Sequence, residues 1–130
     1  MPASDRLVAA ARKARRRAIA PYSKFKVGAA LETEDGTVIE GCNVENASYG
    51  LTMCAERVAM FSALAQGHRR FRRIAVVADT DTPTPPCGPC RQILWELCGD
   101  IWVHMVDLGR KNLTVCMSEL LPYPFDRRNL

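Results

Sequence analysis

Cys54-Ala55-Glu56-Arg57-Val58-Ala59-Met60-Phe61-Ser62-Ala63-Leu64-Ala65-Gln66-Gly67 carries Val58, Phe61, Ala63, Leu64 and Ala65 at helical recurrence. The stretch therefore predicts a helix over 54–66 with that apolar set inward, and Gly67 is placed to end it at the position after the C-cap. Ile74-Ala75-Val76-Val77-Ala78 follows as a continuous apolar run, the pattern of a strand covered on both faces. A helix feeding such a strand points to a layered α/β protein.

Working outward, the proline-rich run 82–86 reads as a loop into a second helix over 88–98, which Gly99 should stop. Residues 101–106 and 113–117 have strand character, and Ser118 with Glu119 can start a short last helix. Upstream, 25–31 and 37–39 flank an Asp35-Gly36 turn, which predicts a hairpin ending near Asn43. Ser4 and Asp5 can cap a first helix with Leu7, Val8, Ala11 and Ala14 on its apolar side, and Pro21 blocks it beyond Ala20. The order is αββαβαββα. It predicts an α/β fold, a three-layer α/β/α sandwich with a mixed five-stranded sheet, in one domain over 1–130.

A length of 130 residues with 48% hydrophobic and 25% charged residues fits a folded chain that buries a core without disulfide staples. The N-terminus lacks a secretory pattern and no apolar run reaches the ~20 residues of a membrane span, so the expected location is cytoplasmic. In a reducing compartment, closely spaced members of the six cysteines suit metal binding or catalysis better than disulfides. The formal charge of +4 comes largely from Arg12, Lys13, Arg15, Arg16 and Arg17, with a second cluster at Arg69, Arg70, Arg72 and Arg73. A solvated helix face accounts for the first run, and neither a nucleic acid nor a membrane is expected as partner.

Two segments carry the chemistry: Cys54-Ala55-Glu56 and Pro86-Cys87-Gly88-Pro89-Cys90. Each places thiols at a helix N-terminus, where unpaired N–H groups and the helix dipole favour the thiolate that ligates zinc. Cys87 and Cys90 share one side of a first helical turn, and with Cys54 they make three protein ligands. That leaves one tetrahedral position for water, the pattern of a catalytic zinc. Glu56 is the natural proton carrier, because zinc can bring the pKa of water to about 7 and a neighbouring carboxylate can then move its protons. Three thiolates outweigh the charge of one Zn²⁺, so a cation should offset the excess. Arg57 lies inside the first motif, with Arg91 as the competing candidate.

Pro21-Tyr22-Ser23-Lys24-Phe25-Lys26-Val27-Gly28-Ala29-Ala30, Gly41-Cys42-Asn43-Val44-Glu45-Asn46-Ala47-Ser48-Tyr49 and the two cysteine segments together resemble the small, homotetrameric, zinc-dependent cytidine deaminases over nearly the whole chain. The resemblance implies hydrolytic deamination of cytidine and deoxycytidine in pyrimidine salvage, with ammonia released. It implies that Glu56 takes a proton from water, protonates N3 of the base as hydroxide adds to C4, and then delivers a proton to departing ammonia. Phe25 would pack on the pyrimidine, Asn43 and Glu45 would bind a ribose hydroxyl, and the backbone at Ala55 would read the base edge. Tyr49 and Phe125 would reach a neighbouring subunit's site, and Arg57 would hydrogen-bond the ligand sulfurs. A homotetramer with shared sites follows from the resemblance alone.

Other readings compete. Cys87-Gly88-Pro89-Cys90 is also a thioredoxin-type redox motif, but that reading leaves Cys54, Glu56, Asn43 and Glu45 idle. A structural zinc site would recruit Cys42 or Cys98 as a fourth sulfur and make Glu56 a coincidence. Cys42, Cys98 and Cys116 read better as small buried hydrophobes, and His68 and His104 as structural or surface residues. Within the enzymes, the alternatives are another aminopyrimidine nucleoside, a cytosine-containing antibiotic, or a nucleic-acid-editing deaminase, for which the chain offers only a basic helix.

Overall fold

The computed structural model describes residues 5–109 and 111–130, so the cap expected of Ser4 lies outside the described residues. Its elements are α1 (Asp5–Arg15), β1 (Val27–Thr33), β2 (Val38–Cys42), α2 (Ala55–Ala65), β3 (Phe71–Ala78), α3 (Gly88–Cys98), β4 (Trp102–Val106), β5 (Asn112–Cys116) and α4 (Met117–Leu120). The strands form one five-stranded sheet in the order β2-β1-β3-β4-β5. The sheet is mixed: β3 and β4 run parallel across the α3 crossover and the other neighbours are antiparallel.

Side-chain alternation sends each strand's residues into two separate cores. Leu7 and Ala11 of α1 pack with Ala30, Ala75, Val77 and Val106 on one face. Ala29, Leu31, Ile74, Val76, Val103 and Met105 face the other way, against α2, α3 and Met117 of α4. The sheet is thus the middle layer of an α/β/α sandwich, as expected.

Local expectations needed correction where tertiary contacts decide. Helix α1 stops at Arg15, short of the Ala20 limit. The chain tightens through i→i−3 bonds from Arg16, Arg17 and Ala18, and Ile19 then exchanges backbone bonds with Asn43 and Glu45. Strand β3 begins at Phe71 rather than Ile74, because antiparallel β1 supplies partners along its length. Met117 leaves the last strand to start α4.

The inward face of α2 is also not the expected one. Ala55, Glu56, Ala59, Met60 and Ala63 are buried, whereas Phe61 and Ala65 are exposed. The helix lies so close to β2 that a Cβ on Gly41 would stand 2.5 Å from both the Ala55 carbonyl and the Ala59 amide. Only small side chains fit such an approach, and this crossing fixes where α2 begins. Cys42, Cys98 and Cys116 are half-buried rather than core residues.

The basic run is partly occupied by the fold. Lys13 and Arg17 pair with Glu40, Arg15 donates to the Lys26 carbonyl and Arg12 to that of Gly109. Among the described residues, no helix is long and apolar enough to cross a membrane.

Candidate active site

Helices α2 and α3 begin side by side. Cys54 is the N-cap of α2, Cys87 is the N-cap of α3, and Cys90 lies in the first turn of α3 with Pro89 before it. Neither N-cap side chain bonds the helix it precedes, so both sulfurs are free to turn toward one point. The three Sγ atoms lie within 4.8 Å of one another, and Cys54 Sγ is 4.0 Å from Cys87 Sγ. Tetrahedral Zn–S bonds of ~2.3 Å place sulfurs about 3.8 Å apart, so the cluster is of the size a zinc ion needs. Among the described residues no other group of His, Cys, Asp or Glu makes a comparable site. Cys98 is engaged 3.7 Å from Met60 Sδ, and neither it nor Cys42 joins the cluster, so no fourth sulfur closes it.

Proton affinities of the cluster fit the same assignment. The Cys54 thiol is pushed down to about 5 by a hydrogen bond with Cys90 and, against the opposing effect of burial, by the hydrogen bond and charge of Arg57. Cys90 is pushed far up by its bond with Cys54, by burial and by the Glu56 charge. Like charges this close cannot all form alone, and a divalent cation removes that restriction.

Glu56 is 4% exposed. Burial pushes its carboxyl up to about 7, the negative charge on Cys54 adds to this, and its own backbone hydrogen bond, Cys90 and Arg57 oppose it. A carboxylic acid poised near neutral pH can both take and give a proton.

Cys54, Glu56 and Cys87 open into a cleft of about 180 Å³ with Phe25, Asn43 and Ala55 in its wall. The sheet explains why these distant residues meet. Val27 opposes Ala78 and Gly28 opposes Cys42, so the start of β1, the end of β2 and the end of β3 share one edge. Asn43, nearly buried, accepts from the Val27 amide at 2.8 Å and donates to the Phe25 carbonyl at 2.8 Å. It thereby fixes the entry to β1 that carries Phe25.

Other expected residues stand apart within one chain. The Glu45 carboxylate accepts from the Tyr22 and Ser23 amides and from the Ser23 hydroxyl. Tyr49 is exposed and packs edge-on against Tyr22 at 5.8 Å, and Phe125 is 63% exposed. None of the three lines the cleft. Arg57 Nη2 sits 3.0 Å from Cys54 Sγ, whereas Arg91 is committed to the carbonyls of Pro86 and Leu120.

The cleft also contains Val27, Thr52, Val76, Thr84 and Pro85, which had not been singled out. Val76 reads as ordinary core, and Thr84-Pro85 as ordinary loop. Within that loop Thr80 donates to the Thr82 carbonyl at 2.5 Å and pairs with the Thr84 hydroxyl at 2.6 Å.

A thiol-held metal beside a neutral-pH acid and an apolar cleft is the equipment of metal-assisted hydrolysis of a small, flat substrate. Similarity to known proteins narrows that class. Residues 1–105 match the family model described as the cytidine and deoxycytidylate deaminase zinc-binding region. The chain is 47% identical over 127 residues to the cytidine deaminase of Sporosarcina psychrophila, covering 97% of this chain and 93% of that one. It is 51% identical over 125 residues to that of Halalkalibacterium halodurans, covering 95% of each. The crystal structure of cytidine deaminase from Burkholderia pseudomallei superposes with a TM-score of 0.92 at 50% identity, covering 95% of this chain and all of that one. The chain belongs to the cytidine and deoxycytidylate deaminase family, and zinc is its metal.

Proposed function

We propose that this chain hydrolyses the 4-amino group of cytidine and deoxycytidine, consuming water and releasing uridine or deoxyuridine and ammonia, as a cytoplasmic enzyme of pyrimidine salvage. The observation that carries this reading is the buried Glu56 in the same cleft as Cys54, Cys87 and the Phe25 ring. Zinc held by Cys54, Cys87 and Cys90 supplies the Lewis acidity that makes water a nucleophile near neutral pH.

The remaining work belongs to the protein. Phe25 grips the face of the base, and the backbone at Ala55, in the first turn of α2, meets its polar edge. Glu56 takes the proton from water and passes it to N3 as the oxygen adds to C4, then takes the second proton from the new C4 hydroxyl and gives it to the amino group, which leaves as ammonia while the C4 carbonyl forms. Asn43 and Glu45 bind the sugar hydroxyl. Glu45 spends three of roughly four acceptor sites on 22–23 and keeps capacity for one more donor. Residues 1–130 act as one domain within a homotetramer, and Tyr49 and Phe125, exposed in the single chain, complete the cleft of a neighbouring subunit.

The test is ammonia release from cytidine and deoxycytidine with zinc measured on the same sample, for the wild type and Glu56→Ala. The variant should keep its zinc and lose at least ~10²–10⁴-fold in turnover, the range of a general acid–base group. Normal turnover in Glu56→Ala would overturn the assignment.

A further inference from the structure

Beyond Leu121, which packs on the core, the C-terminal tail is tied to α3 by polar links. Its apolar side chains gain little from their own chain, since Tyr123 and Leu130 are almost fully exposed and Phe125 mostly so. A cavity of about 320 Å³, lined by Trp95, Glu96, Gly99, Asp126, Arg127 and Arg128, lies where packing would otherwise anchor the tail. Against this, three residues of α3 reach out to the end of α4 and to the tail. Arg91 donates to the Leu120 carbonyl at 3.0 Å and Gln92 to the Phe125 carbonyl at 2.8 Å. Trp95 Nε1 donates to Asp126 Oδ2 at 2.9 Å.

Asp126 is built as an anchor. Its side chain is 8% exposed, and besides the indole it accepts from the Arg128 amide at 2.9 Å and from the Arg128 guanidinium at 2.8 Å. These bonds hold its carboxyl well below the usual carboxylate range. The bond from Trp95 is therefore made to a fixed charge, and such charge-assisted bonds are the stronger kind. The helix that makes it is the one that begins at Cys87 and Cys90.

We propose that the Trp95–Asp126 clasp, assisted by Gln92, is a positioning device that sets the Phe125 ring for the cleft of a neighbouring subunit. The inference rests on the shared-site reading of Phe125. It adds the reason an aromatic on an otherwise unpacked tail can stand in one place: the residue after it is tied to α3, and its own carbonyl is tied one turn earlier on the same helix. Preorganising the ring in this way removes an ordering cost that substrate binding would otherwise bear.

The zinc-loaded protein with cytidine tests this through Trp95→Phe, Phe125→Ala, the double variant, Asp126→Ala and Asp126→Asn. Trp95→Phe keeps an aromatic body and removes only the donor-bearing ring. It and Phe125→Ala should each raise KM about tenfold with kcat little altered, the loss expected of one charge-assisted hydrogen bond. The double variant should show no further rise, because both changes remove the same contact. Asp126→Ala should match Trp95→Phe, and Asp126→Asn, which keeps an oxygen for the indole but loses the charge, should raise KM by less than Asp126→Ala. If Trp95→Phe does not fold, the Asp126 pair carries the test. A KM rise in Phe125→Ala alone, effects that multiply in the double variant, or a lower Tm without a KM change would overturn the clasp and leave the shared site standing. An unchanged KM in Phe125→Ala would overturn both.

Discussion

Arg57 lies one turn after Cys54 on α2 and places its Nη2 3.0 Å from that residue's sulfur. In the proposed reaction the guanidinium would draw negative charge from a zinc held by three thiolates, as outer partners do at other metal centres. Arg57→Gln should keep zinc, lower kcat and move the acidic limb of the pH–rate profile upward, since water is then activated only at higher pH. Arg91→Gln should leave the limb in place and instead cost about 2 kcal/mol of stability through its lost carbonyl bonds. An unchanged limb and rate in Arg57→Gln would show that the helix N-termini are sufficient.

Removal of metal should act on the fold as well as on the activity, because the sulfurs at the starts of α2 and α3 repel one another once deprotonated. Cys54→Ala, Cys87→Ala and Cys90→Ala should each lose zinc and lower Tm, measured by metal analysis and calorimetry on the same preparations. Full zinc content in any of the three would remove that thiol from the ligand set.

His104 adds a pH dependence to stability. The side chain is fully buried in β4, with Nδ1 2.8 Å from the Thr114 hydroxyl and Nε2 without a partner. Burial, and then the charge of Arg73, push its pKa from 6.5 down to about 4. The unfolded chain therefore binds a proton that the folded chain refuses, so the contribution is complete above pH 6.5 and is lost as pH falls toward 4. The loss should amount to about 3 kcal/mol over that window. Urea unfolding at successive pH values should show this slope in the wild type and a flatter one in His104→Gln, and equal slopes would discount His104.

Gly41 gives a steric test of how the site is placed. A methyl group there would meet the backbone of Ala55 and Ala59, and such overpacking costs roughly 1–3 kcal/mol. Gly41→Ala should lower Tm and also displace the start of α2 with Cys54 and Glu56, reducing kcat. Gly50→Ala, where nothing lies within 4 Å of an added Cβ, should be close to neutral in both.

The cysteine spacing, the strand runs and the glycine stops were legible in the sequence because each depends on residues a few positions apart. Cys87 and Cys90 share a helical turn wherever that helix sits, and 74–78 is too apolar to lie outside a sheet. The zinc-binding pattern and the alternation of helices and strands follow from such local facts. The inward face of α2 does not, because helical recurrence places Phe61 in the apolar set without reference to clearance, while the close approach of Gly41 leaves room beside it only for small residues such as Ala59. The end of α1 was set by the pairing of Ile19 with the 43–45 segment, and the cleft walls at Thr52, Val76 and Thr84 by the meeting of strand ends. The sequence favours Arg57, inside the first motif, over Arg91, and the packing gives each a different neighbour: the Pro86 and Leu120 carbonyls take Arg91, and Arg57 lies 3.0 Å from the Cys54 sulfur. Spacing along the chain determines which groups can act together, and packing between elements determines which of them do.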